Sequence, residues 1–124
     1  MARSMFVVDD DSALRGLIVR ILRSRGHVVL GEAGSVAGAL AQTRVLRPDV
    51  ALVDIGLPDG DGFALTRLLR AGQPSMVVVL FSSDADRTNQ AAARRAGAAG
   101  FLPKDELTSL ALEQLIGDEI DDGP

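Results

Sequence analysis

The chain has no cysteine, no tryptophan and no tyrosine, and a single histidine, His27. Without cysteine there can be no disulfide and no thiolate metal site. One histidine cannot build a histidine-rich zinc site and leaves little for a Ser-His-Asp triad. Four phenylalanines are the whole aromatic content, so the core must be aliphatic and alanine-rich, drawn from the 47% of residues that are apolar. No apolar run reaches the roughly 18 residues of a membrane span. Met1-Ala2-Arg3-Ser4 is not followed by a signal-peptide core, and the chain reads as cytoplasmic. The net charge of −4 argues against direct nucleic-acid binding by this domain, because such surfaces cluster Lys and Arg against phosphates. A length of 124 residues suits one domain. Residues 1–117 are expected to form it, with 118–124 an acidic tail that frays or begins a linker.

Short apolar runs alternate with amphipathic stretches. Ser4 to Val8 reads as a buried strand, cut off by three acids. Ser12 to Arg25 reads as a helix capped by Ser12 or Asp11, with Leu14, Leu17, Ile18, Ile21 and Leu22 on one face and Gly26 as its stop. Val28 to Ala33 is a second strand, and Ser35 to Arg47 a second helix that ends before Pro48. Val50 to Asp54 is a third strand, apolar on both faces, as suits a parallel sheet covered on both sides. A loop with Gly56, Pro58, Gly60 and Gly62 leads to a helix over Phe63 to Ala71, with Leu65, Leu68 and Leu69 inward and Asp61 as cap. Met76 to Phe81 is the most apolar strand and is expected to be central. Asp84 to Ala96 is a helix closed by Gly97, with Arg87, Arg94 and Arg95 on its solvent face. Gly100 to Leu102 is a fifth strand, and Asp105 to Ile116 the last helix. Five strand-helix units in succession predict an α/β sandwich around a parallel sheet.

In such a sheet the chemistry lies at the carboxyl ends of the strands. Strand one ends in Asp9, Asp10 and Asp11, strand three in Asp54, strand four in Ser82 and Ser83, and Lys104 follows strand five. Crowded carboxylates repel one another, and a hard divalent cation, Mg²⁺ where phosphate is handled, relieves that repulsion. A nearby lysine balances the charge of an incoming phosphoryl group, and a serine hydroxyl can donate to one of its oxygens. The parts suit phosphoryl transfer to Asp54.

At this point the chain resembles the response-regulator receiver family over nearly its whole length. The resemblance rests on Val7-Val8-Asp9-Asp10, on Ala51-Leu52-Val53-Asp54-Ile55-Gly56-Leu57-Pro58-Asp59-Gly60-Asp61-Gly62, on Ser82, on Ala96-Gly97-Ala98, and on Gly100-Phe101-Leu102-Pro103-Lys104. It implies a flavodoxin-like, doubly wound (βα)5 fold with strand order 2-1-3-4-5. It also implies that Asp54 accepts a phosphoryl group from a sensor histidine kinase or phosphotransfer protein. Asp9, Asp10, Asp54 and the Gly56 carbonyl would hold Mg²⁺, and Lys104 would pair with the phosphoryl group. Ser82 would be the switch hydroxyl and Phe101 the switch aromatic. Such a domain is a signalling module, catalysing only its own phosphorylation and slow dephosphorylation. The sequence departs from many family members in having Pro103 before Lys104 and Asp105 after it. A Lys-Asp pair recurs in receivers attached to helix-turn-helix output domains.

Other readings weigh less. Asp59-Gly60-Asp61-Gly62 hints at a calcium loop, but Phe63 and Arg70 stand where an EF-hand needs oxygen ligands. An aspartyl-phosphate hydrolase of the haloacid-dehalogenase type needs a second Asp where Gly56 stands. The remaining alternative is a degenerate receiver that acts only by docking. His27 reads as a solvated turn residue. On the last helix, Leu107, Leu110, Ala111 and Leu115 share a face expected to pack on the sheet. Leu112 and Ile116 would then form an outward stripe, expected to contact a second copy or an output domain through the neighbourhood of helices four and five.

Overall fold

A computed structural model describes residues 3–83, 88–107 and 110–120. Five parallel strands form one sheet: β1 (Ser4–Val8), β2 (Val28–Ala33), β3 (Val50–Asp54), β4 (Val77–Ser82) and β5 (Gly100–Pro103). Their order in space is β2-β1-β3-β4-β5, the doubly wound arrangement that the family resemblance implies. β3 is therefore the middle strand, and the more apolar β4 lies one place out. The helices are α1 (Ser12–Ser24), α2 (Val36–Leu46), α3 (Gly62–Gly72), α4 (Thr88–Ala96) and α5 (Leu110–Ile120). Residues 84–87, which include Arg87 and the expected start of the fourth helix, lie outside the described residues, as do 121–124 of the tail.

The apolar runs of β1, β3 and β4 alternate between two cores. Met5, Val7, Val50, Leu52, Val77, Val79 and Phe81 face Ile18, Val19 and Leu22 of α1 and Leu112 and Ile116 of α5. Phe6, Val8, Ala51, Val53, Val78 and Leu80 face Ala39 of α2, Leu65 and Leu69 of α3 and Ala93 of α4. With period two, each strand feeds both layers, so every residue of β3 is buried. Edge strand β2 alternates instead, with Val28 and Leu30 exposed.

The helix boundaries have local causes. Asp11, not Ser12, caps α1, accepting from the amides of Ala13 and Leu14. At its other end Gly26 has φ 86° and donates to Arg23, while His27 donates to Leu22, a pair of reversed bonds that closes the helix. The buried face of α1 is rotated from the expected one: Val19 is inside and Leu17 is 44% exposed. In α3 Leu68 is likewise half-exposed, and buried Thr66 bonds the Gly62 carbonyl instead. His27 is not a solvated turn residue. It is buried, and its Nε2 lies 2.7 Å from Glu113 Oε1 on α5.

The last helix departs most from expectation. Lys104–Glu106 form a 3₁₀ turn, and the described α-helix begins at Leu110 and runs on through Ile120. A 3₁₀ turn has about three residues per turn rather than 3.6, so the phase read from Leu107 does not carry into α5. Leu112 and Ile116 are buried against the sheet, and Leu110 is 74% exposed. The outward stripe at Leu112 and Ile116 does not exist, and the contact expected of those two residues is excluded by their burial within this chain.

That packing makes a specific prediction. Leu112→Ala should cost about 3 kcal/mol of unfolding free energy, as for a fully enclosed leucine. Leu110→Ala should change it by less than about 0.5 kcal/mol. Urea denaturation of the two variants distinguishes this arrangement from the reverse one.

Candidate functional site

The register of the sheet assembles the site. Val8 of β1 sits opposite Val53 of β3, so the next residues, Asp9 and Asp54, emerge side by side. Ser82 of β4 pairs with Pro103 of β5, which sets Lys104 one residue beyond that edge. The Lys104 ammonium lies 3.3 Å from Asp54 Oδ2 and 3.5 Å from Asp9 Oδ2, and 5.8 Å above the centre of the Phe81 ring. Asp9 and Asp54 are buried and Asp10 is exposed, and one carboxylate oxygen from each can be chosen within 4.8 Å of the others.

Burial pushes the Asp9 carboxyl above its ordinary value. The amide of Asp11, donating to Asp9 Oδ1 at 2.9 Å, opposes that shift; the charge of Asp54 adds to it, and Lys104 partly offsets it. For Lys104, burial pulls the ammonium down, but the attraction of Asp54 and Asp9 overrides it and holds the group above its usual range. Asp9 Oδ2 is sealed from solvent and, among the described residues, accepts no hydrogen bond; the Lys104 ammonium lies 3.5 Å from it. Two buried carboxylates share one ammonium with the Asp10 carboxylate beside them, and Asp9 Oδ2 has no hydrogen-bond donor among the described residues. This all-oxygen donor set fits a hard divalent cation.

The surrounding loops hold these groups in place. Arg15, on the first turns of α1, donates from Nη1 to the Asp9 carbonyl at 2.6 Å and from Nε to Glu32 at the end of β2. The amide of Gly56 donates to Asp54 Oδ1 at 3.2 Å. Gly56–Leu57 and Gly60–Asp61 pair as a minimal antiparallel ribbon. The amide of Gly62 donates to the Ile55 carbonyl at 2.8 Å. A Cβ at Gly62 would lie 2.6 Å from the Asp54 carbonyl oxygen, so only glycine allows α3 to start this close to the acidic strand end. Asp61 caps α3 through the amide of Ala64. Asp59 reaches across to α2, accepting from the amides of Val36 and Ala37 beside the Ser35 cap.

Of the residues singled out from sequence, Asp9, Asp10, Asp54 and Lys104 come together. Gly56 adjoins them through its amide. Ser82 ends β4 half-buried, next to the strand that carries Lys104. Phe101 is turned inward, 3% exposed, in the core shared by α3 and α4. Three supporting residues escaped the sequence reading: Arg15, Asp59 and Gly62. The last two stand in a loop that the sequence marks only as a glycine- and proline-containing turn with Asp61 as the helix cap. Nothing local marks a bond from Asp59 to a helix 22 residues earlier.

Residues 5–116 match the profile described as response regulator receiver domain. The chain is 39% identical over 102 residues to the DNA-binding transcriptional activator DevR/DosR of Mycobacterium tuberculosis, an alignment that covers 82% of this chain and 47% of that protein. It is 41% identical over 108 residues to protein-glutamate methylesterase/protein-glutamine glutaminase 6 of Anaeromyxobacter dehalogenans, covering 86% of this chain and 31% of that one. The chain thus spans half or less of the length of these relatives. Among solved structures, the signal receiver domain of NarL from Mycobacterium tuberculosis superposes with TM-score 0.82 at 33% identity, covering 94% of this chain and 98% of the other.

The Asp59 contact generates a pH prediction. Two backbone amides hold its carboxyl below the ordinary value of 3.8. A group depressed in the folded state contributes stability above its unfolded value and loses it as pH falls through the folded one. Asp59→Ala should therefore be less stable than the parent at neutral pH, with faster amide exchange at Val36 and Ala37. The difference should shrink as pH drops below 3.8. Paired denaturation curves from pH 7 to pH 2 measure it, and a difference that persists unchanged at the acid end contradicts the role of the carboxylate charge.

Proposed function

The chain belongs to the response regulator receiver family, and on that premise we propose that Asp54 is its phosphoryl acceptor. The observation that carries this reading is the buried Asp54 carboxylate held between Lys104 and the Asp9 carboxylate at the end of the central strand. One Asp54 oxygen attacks phosphorus of a phosphohistidine on a sensor kinase or phosphotransfer protein. The phosphorus–nitrogen bond breaks, and the imidazole leaves with its electron pair and takes up a proton. Lys104, already within 3.3 Å of Asp54, balances the charge that arrives. Asp9 and Asp10, with Asp54 and the Gly56 carbonyl, are the residues that would hold Mg²⁺. That ion, when bound, neutralises carboxylate repulsion and draws the phosphoryl oxygens toward the site.

Ser82 supplies the hydroxyl that reads the phosphoryl group. It stands at the carboxyl end of β4, in register with the strand leading to Lys104. Phe101, which is inward-facing, supplies the aromatic side of the switch by its packing. The domain is read as residues 1–117, with 118–124 as a tail or linker into which α5 continues as far as Ile120. Relatives carrying this module are named as a transcriptional activator and as a methylesterase, so the output belongs to whatever the receiver is joined to or meets. A contact through α4 and α5 with a second copy or an output domain would use outward residues such as Leu110. Among the described residues no helix is long and apolar enough to cross a membrane, which fits a cytoplasmic site of action.

Asp54→Asn should keep the fold and lose phosphoryl uptake from a small-molecule donor with Mg²⁺, read by intact mass. Uptake by the Asn variant at stoichiometric yield would move the acceptor elsewhere. A wild type that stays unmodified under the same conditions would instead favour the docking-module alternative. Ser82→Ala should still take up the phosphoryl group but fail to shift the conformational equilibrium. Equal NMR responses to a phosphate mimic in the parent and Ser82→Ala would remove Ser82 from the switch.

A further inference from the structure

β5 closes one edge of the sheet and pairs with β4. At Phe101, in the middle of this short strand, both main-chain groups turn to a side chain of α4. Gln90 Nε2 donates to the Phe101 carbonyl at 2.9 Å, and Gln90 Oε1 accepts from the Phe101 amide at 3.3 Å. One carboxamide thus makes both bonds that a sixth strand would otherwise make at that residue. Only asparagine and glutamine offer a neutral donor and acceptor in that fork. The residue held this way is the one whose ring packs beneath α4 in the same core as Ala93. Two residues further on, Pro103 is in register with Ser82, and Lys104 follows with its ammonium on Asp54 and Asp9. A continuous set of contacts therefore runs from the acidic cluster through β5 to the main chain of Phe101 and across Gln90 into α4.

We propose that Gln90 is a positioning residue that couples α4 to the switch strand, gripping both main-chain groups of Phe101 so that movement of β5 moves α4 with it. The proposal rests on the reading of Asp54 as phosphoryl acceptor. A change around Ser82 and Lys104 displaces β5. Because the grip is on backbone rather than on the ring, α4 follows that displacement whichever rotamer the ring adopts. Without the carboxamide, Phe101 keeps its packing but the strand edge can slide under the helix. Coupling of this kind needs an element that both ends bias, and the α4–β5 pair is that element.

The test compares the full chain with Gln90→Leu, which keeps bulk and helix propensity but removes both bonds, and with Gln90→Glu, which keeps the acceptor and removes the donor. Amide exchange and ¹H–¹⁵N spectra are recorded with and without beryllofluoride and Mg²⁺. In Gln90→Leu the Phe101 amide should exchange about tenfold faster, while Val7 and Leu52 exchange as in the parent. Gln90→Glu should keep Phe101 protected. On adding beryllofluoride, the signals of Asp54 and Lys104 should shift in every chain, but those of Ala91 to Ala96 should shift in Gln90→Leu by less than about half the parental amount. Unchanged Phe101 exchange in Gln90→Leu, or an α4 response equal to that of the parent, overturns the role of Gln90. If Gln90→Leu does not fold, the donor-deficient Gln90→Glu decides: an α4 response equal to the parent's overturns the coupling, and a reduced one supports it. A parent whose Asp54 and Lys104 signals ignore beryllofluoride overturns the phosphoryl-acceptor reading itself and takes the coupling with it.

Discussion

The meeting of the buried Asp9 and Asp54 carboxylates at one ammonium, with Asp10 beside them, is the constraint on which the rest of the structure depends. A parallel sheet places the ends of neighbouring strands side by side, and here two of those ends are buried carboxylates. Such a pair is unfavourable in itself: burial and the Asp54 charge both work against an ionised Asp9. Lys104 offsets part of that cost and is in turn held charged by it. The arrangement persists because the strands beneath are packed on both faces by aliphatic side chains, with no polar residue in β1 between Met5 and Val8 or in β3 before Asp54. The stability of the core sustains a strained polar edge, as is common where a site must respond to added charge.

The loops at that edge are fixed by a series of short polar bonds rather than by hydrophobic burial. Asp11 caps α1 while its own amide bonds Asp9, so one residue both starts a helix and orients a site carboxylate. Asp61 caps α3, Asp59 closes the start of α2, and Gly62 lets the chain approach Asp54 at a distance that any side chain would prevent. Each of these acids sits where unpaired helix amides and the positive end of the helix dipole favour a negative charge. The loop after β3 is thereby tied to two helices, and the Gly56 amide bonded to Asp54 is tied with it.

On the other side of the site the connections differ in kind. β5 is short, its successor is a 3₁₀ turn rather than a full helix, and its outer edge is held at Phe101 by a side chain. A strand secured by few backbone bonds can shift at lower cost than the central β3, whose every residue is buried. The buried central strand and the lightly held edge strand suit a receiver domain that keeps its acidic site in place while its surface changes.

The sequence by itself determined the five strand-helix units, the parallel sense of the sheet and the gathering of Asp9, Asp10, Asp54 and Lys104 at one edge. Those features follow from period-two and period-3.6 hydrophobic patterning, which is local, and from the rule that parallel strands present their carboxyl ends together. What it did not determine was the rotation of helices about their axes. The apolar spacing puts Leu17 and Leu68 inside, and Leu112 and Ile116 outside, whereas the structure reverses each assignment. On a helix carrying more apolar residues than one face can hold, the choice among faces rests on the facing sheet, and for α5 also on a turn whose pitch shifts the phase. Contacts distant in sequence were equally invisible: His27 with Glu113, Asp59 with the start of α2, and Gln90 with Phe101. Each joins residues whose types are ordinary on a protein surface. Only the folded chain brings them within hydrogen-bonding distance, because the positions of both partners are set by packing elsewhere and neither sequence neighbourhood records the other.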